Sequence, residues 1–171
     1  MGNVKLISRI LFYFTRVIAA FYFIMAAYAA MTLVTGWSIS FRESGKYFQV
    51  LIPFTKTPIL NGDNNLPYIF FEFLGPLSLY GLFFWLLGNV FKVFFQPRLF
   101  TGNGIKHLKR FYLGNFIVPG VMVLIVSLID NPGTEGISVI ILHAIIGVFA
   151  YFLAAIFKQG LNLQNEQDLI I

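Results

Sequence analysis

The sequence predicts an all-α integral membrane protein with four transmembrane helices and room for a short β element in its first external loop. Three observations carry this. Hydrophobic residues make up 58% of the chain and charged residues only 11%, against about 25% charged in soluble domains. Mean hydropathy is +0.79, and charge-free apolar runs recur four times along the 171 residues, each close to the roughly 20 residues that cross a bilayer. Between the second and third runs, residues 92–115 carry Lys92, Arg98, Lys106, Lys109 and Arg110 without an acid, a bias that belongs on the cytoplasmic face of a membrane.

The same composition narrows the function classes. With no Cys in the chain, disulfides, thiolate catalysis and Cys metal sites are all excluded. The net charge of +5 would suggest nucleic acid in a soluble protein, but its distribution is explained by topology, so no direct nucleic-acid contact is expected. At this length there is one membrane domain and no large soluble one.

The first span is expected over about residues 10–35. Lys5, Arg9 and Arg16 precede eighteen residues, 17–34, that carry no charge. A basic start, an apolar run and the small cluster Ala26, Ala27, Ala29 and Ala30 also describe a signal peptide; the expectation is a retained helix. Ala19, Ala26 and Ala30 fall near one helical face, where small side chains let a neighbouring helix approach closely.

Residues 36–67 form the only long polar stretch and are expected outside. Pro58 and the run Asn61-Gly62-Asp63-Asn64-Asn65 mark turns. Within the stretch, residues 46–54 (KYFQVLIPF) are rich in β-branched and aromatic side chains, which predicts a short strand or hairpin at the outer surface, either capping the bundle or acting as a ligand lid.

The second span, about 68–95, is apolar except for Glu72, Ser78 and Asn89. Gly75-Pro76 lies one turn beyond Glu72, and a proline there frees a backbone carbonyl and bends the helix. A bent helix beside a carboxylate can build a site; a packing kink with Glu72 among headgroups needs the same residues.

In the cytoplasmic basic loop, about 96–110, Pro97 ends the helix and Thr101 and Asn103 can cap a new one. Ile105, Leu108 and Tyr112 share one face while Lys106, Lys109 and Arg110 point elsewhere. This predicts a short amphipathic helix in the inner interface, each base worth about 1 kcal/mol among anionic headgroups, or a docking face for a cytoplasmic partner. The third span follows over about 111–130, with Pro119 and Gly120 expected to kink its inner half. Asp130-Asn131-Pro132-Gly133 reads as a tight outer turn. The fourth span, about 137–158, carries the small-residue stripe Ala144, Gly147, Ala150 and Ala154.

The tail, about 159–171, is expected inside. Gly160 can end the fourth helix in a left-handed cap. Leu161, Leu163, Leu169, Ile170 and Ile171 are too apolar for a solvated tail, and Glu166 and Asp168 face an excess of bases, so the tail is expected to fold back on the basic loop. With four spans, nine bases lie inside and three (Arg42, Lys46 and Lys56) outside, which places both termini in the cytoplasm.

Two stretches resemble a known family. The segment PRLFTGNGIKHLKRF, with its aromatic-Thr pair before an amphipathic helix, and the tail GLNLQNEQDLII are similar to bacterial four-span inner-membrane proteins of domain-of-unknown-function family 2975. The tail carries the more specific marks: Gly160, Leu163-Gln164, Glu166, Asp168-Leu169 and the terminal apolar Ile171. Ile170 stands where a hydroxyl residue is usual, and Gly104 where an acid or amide often completes the helix cap. The resemblance covers roughly half the chain. It implies an inner-membrane location and a small helix-turn-helix regulator as a cytoplasmic partner, and it implies no known activity.

His107 and His143 are the only histidines, too few and too poorly matched for a bis-imidazole haem site. No metalloprotease HExxH, phosphate-binding glycine loop, Ser-His-Asp order or paired intramembrane carboxylate is present. No enzyme activity, cofactor or metal is expected. Two functional readings remain. In the first, a binding or regulatory protein uses its cytoplasmic face, with Arg98, Lys106, Lys109, Arg110, Gln164, Glu166 and Asp168 contacting lipid or a partner. In the second, a small oligomeric transporter or hydrophobic-ligand binder has a polar path of Glu72, Asn89, Asn115 and His143 between its spans. A dry, closed core favours the first; a polar cavity reaching Glu72 or Asn115 favours the second.

Overall fold

A computed structural model describes residues 2–129 and 133–168. The elements in chain order are α1 (Gly2–Thr35), β1 (Ile39–Arg42), β2 (Tyr47–Leu51), β3 (Pro58–Asp63), a π-helical segment (Tyr68–Leu74), α2 (Gly75–Phe94), α3 (Gly102–Ile129) and α4 (Gly133–Asp168). Four helical stretches are long and apolar enough to cross a membrane, so the architecture is an all-α multi-pass bundle with a small sheet after its first helix. With 34 residues in α1 and 36 in α4, both helices reach about 50 Å at 1.5 Å per residue. That exceeds the roughly 30 Å of hydrocarbon, so both run beyond it or tilt within it.

The bundle is two antiparallel hairpins, α1 against α2 and α3 against α4, joined where α2 meets α3. Small residues set the close approaches. Thr15 and Phe23 of α1 lie against Gly88 and Gly81 of α2, and Phe116 of α3 lies against Gly147 of α4. Ala19, Ala26 and Ala29 are buried; the buried face of α1 therefore runs through Ala29 where the spacing suggested Ala30. On α4, Ala150 and Ala154 are buried in one cluster with Val90, Val93, Leu108, Phe111 and Phe157.

The predicted β element is a three-stranded antiparallel sheet in the order β1-β2-β3. Its register pairs Phe41 with Phe48 and Phe48 with Gly62. The β1–β2 connection turns through Glu43, Ser44 and Gly45, all at positive φ; Gly45, at φ +90°, is the one suited to that region. Alternation along β2 puts Phe48 and Val50 on the buried face, where they pack on Ala29, Ile69 and Phe73. The Tyr28 hydroxyl donates to the Leu51 carbonyl at 2.6 Å and ties α1 to the sheet. The sheet thus caps one end of the α1–α2 hairpin, and the bases of residues 92–110 lie at the other.

Two expectations are overturned. No separate interfacial helix precedes the third span: α3 runs from Gly102 through the whole amphipathic segment. The predicted face is right, since Leu108 is fully buried with Ile105 and Tyr112 packed beside it, but no breaker separates these residues from the apolar run. The Thr101 cap is present, its hydroxyl accepting from the Gly104 N–H at 3.0 Å. The second correction is at Gly160, which does not end α4. The helix passes through it to Asp168, and the absent side chain makes room for the Phe100 ring, which would lie 2.7 Å from a Cβ there. A continuing helix leaves no chain reversal between 160 and 168, and Leu163 is 61% exposed, so over these residues the tail does not fold back. The 130–132 part of the expected turn and Leu169, Ile170 and Ile171 lie outside the described residues.

Candidate functional site

Proline organises the site. Pro76 has no N–H to give the carbonyl of Glu72, and its ring crowds that carbonyl in a regular α-helix. The chain answers by widening to a π-turn over Tyr68–Leu74, closed by the Gly75 N–H on the Phe70 carbonyl five residues back. Single π-turns of this kind recur at functional sites because they rotate side chains out of the α register. Glu72 lies within this one. Gly75 admits the close neighbour: a Cβ there would lie 2.7 Å from the Met122 methyl of α3. Pro119 sits inside α3 and likewise leaves the Asn115 carbonyl without its helical donor.

Between these two interruptions lies a cavity of about 570 Å³, lined from the π-segment and α2, from α3, and from the start of α4. Its walls hold Glu72, Pro76, Asn115, Pro119 and His143 among aliphatic and aromatic side chains. The volume is within the range of about 300–1,000 Å³ typical of small-molecule sites. Glu72 is exposed at its edge, while Asn115 and His143 are 4% and 8% exposed. No residue of the sheet lines it among those described. The sheet is therefore a cap on α1 and the π-segment, and it does not lie over the cavity as a lid.

The buried polar pair has a defined hydrogen-bond order. The Asn115 side-chain amide donates to the Phe111 carbonyl at 2.8 Å, which turns its oxygen toward His143 Nδ1 at 2.7 Å. Nδ1 therefore carries the proton in the neutral ring, leaving Nε2 as an acceptor on a side chain that lines the cavity. Phe83 packs edge-on to that ring at 5.4 Å between centroids, and Tyr80 lies at 6.2 Å.

Of the polar path expected from sequence, Glu72, Asn115 and His143 meet in this cavity and Asn89 does not. Asn89 belongs to a second cluster between α1 and α2, where its carbonyl oxygen accepts from Arg16 Nη2. The Arg16 guanidinium stacks 3.5 Å from the Trp85 ring centroid and also faces Phe12. Sequence reasoning missed this role for Arg16 because it read as a topology base; the signal was Asn89, a span amide that needs a partner. Nη1 of Arg16 and Nδ1 of His107 are buried without a hydrogen-bond partner.

The residues expected to contact lipid or a partner are held apart from the cavity. Arg98, Lys106, Lys109 and Arg110 are exposed along the 95–101 connection and the first turns of α3. Phe100 anchors that connection on α4, edge-on to Phe157 at 5.3 Å. Gln164 and Glu166 lie on the α4 extension, Gln164 half-buried and Glu166 exposed; Asp168 is its final residue. Among the described residues no group of His, Asp and Glu is placed to hold a metal ion.

No protein-family model, curated protein or solved structure matches this chain.

Proposed function

We propose that this chain is a multi-pass protein of a bacterial inner membrane, both termini cytoplasmic, that holds a small hydrophobic ligand between its spans, in an oligomer if it also transports it. One observation carries the reading: the cavity reaches Glu72 and the Asn115–His143 pair at once. A packed bundle of this size has no need of a cavity that large, because voids cost stability in proportion to their volume. Pocket walls that are mostly apolar with a few convergent polar groups are the general form of a ligand site. No step of bond chemistry is assigned to it, and the reading is non-enzymatic.

The test is photolabelling of the purified protein with a small aryl diazirine. Insertion is expected in peptides containing Val118 to Val123 and Val139 to His143, and it should fall several-fold when Val139→Trp fills the cavity. Labelling of those peptides that is indifferent to Val139→Trp would overturn the proposal.

The cytoplasmic-face reading is supported by one feature, the helical extension of α4 beyond Gly160, which carries the exposed Leu163. Beside the exposed bases of residues 98–110, it offers a cytoplasmic partner, such as the helix-turn-helix regulator implied by the resemblance, one apolar contact and several charged ones.

A further inference from the structure

The formal charge of the cavity wall has one sign. Among its described lining residues Glu72 is the only ionised side chain, and neither Lys nor Arg is present. His143 offers Nε2 as an acceptor once Nδ1–H is committed to Asn115, and one of the two Asn115 amide N–H groups is used on the Phe111 carbonyl. Pro76 and Pro119, both in the cavity wall, have no backbone N–H to offer a ligand. The one formal charge is therefore negative, and the donors in the wall, the second Asn115 N–H and the Tyr80 hydroxyl, are neutral. The aromatic rings of Phe71, Tyr80, Phe83 and Phe111 complete the wall, and aromatic faces attract cations and repel anions.

We propose that the ligand of this cavity is a lipophilic cation, an apolar or aromatic molecule bearing an ammonium-type or phosphonium charge, with Glu72 as its counter-charge and the aromatic wall around its apolar body. The proposal rests on the cavity being a ligand site. An anionic amphiphile finds no base here, since the chain's cations lie beside the sheet, in the Arg16 cluster or at the basic end of the bundle. A single carboxylate at the cavity edge favours a ligand of opposite charge over one of like charge.

Tetraphenylphosphonium and tetraphenylborate share nearly one shape with opposite charges, and triphenylphosphine oxide is a neutral relative. Equilibrium binding of each to the purified full chain in a non-ionic detergent should show the phosphonium bound at least about tenfold more tightly than the borate. Glu72→Gln should abolish that preference and Glu72→Asp should keep it; because Glu72 is exposed, neither change burdens folding. Val139→Trp should weaken all three probes. Equal binding of phosphonium and borate, both lost in Val139→Trp, would overturn the cation inference and leave the cavity reading standing. Failure of all three probes to bind would overturn both.

Discussion

Asn115 shows what one buried amide does in a span. Both ends of its side chain are used, one on its own helix and one on His143 of the neighbouring helix, so it fixes the ring's tautomer and the α3–α4 register together. In lipid the cost of losing such a bond is moderated because the displaced partner finds others. Asn115→Ala should therefore destabilise the protein by about 1–2 kcal/mol, measured by unfolding in mixed micelles. Asn115→Asp, which keeps an acceptor for Nδ1–H, should recover most of it. The same residue was legible in sequence as a polar group in a span. Its partner was not, because His143 lies 28 positions away and nothing local couples them.

At the scale of the element, the π-segment is where local sequence and site geometry meet. Gly75-Pro76 announced an irregular helix, and the irregularity takes the form of a widened turn that presents Glu72 to the cavity. Replacing Pro76 with Ala restores a donor for the Glu72 carbonyl and permits a regular α-turn, which would rotate the residues before it by up to about 100°. Pro76→Ala should leave far-ultraviolet circular dichroism unchanged and weaken tetraphenylphosphonium binding about tenfold or more. Unchanged binding would mean that the π-turn does not set the position of Glu72. Gly160 teaches the opposite lesson. A glycine after a long apolar helix reads as a stop, yet here its missing side chain admits Phe100, so tertiary packing overrode the local signal.

For the whole molecule, the distribution of bases predicts orientation. The sheet end has Arg42, Lys46 and Lys56, and the remaining nine bases belong to the other side of the four-span plan, so the sheet end should face outward. A reporter fused after Ile171 should be active in the cytoplasm, and one inserted at Asn64, beside β3, should be active outside. Activity on the same side for both would sink the four-span orientation. Trp37 and Phe54 fit this placement: they pair edge-on at 5.7 Å at the sheet end, where an outer aromatic belt would lie.

The sequence by itself determined the class, the four spans, the strand-forming loop, the small-residue stripe of α4 and the two prolines that interrupt helices. Each of these is written in composition or in periodicity within a single element, and lipid enforces the rest by forbidding unpaired backbone in its core. Only the tertiary structure decided that Glu72, Asn115 and His143 share one cavity while Asn89 joins Arg16 elsewhere. It also decided that the amphipathic segment is the start of α3, and that α4 runs on beyond Gly160. These outcomes depend on which faces of different helices meet, and helix rotation and pairing are set by close packing between residues far apart in the chain, which no local pattern encodes.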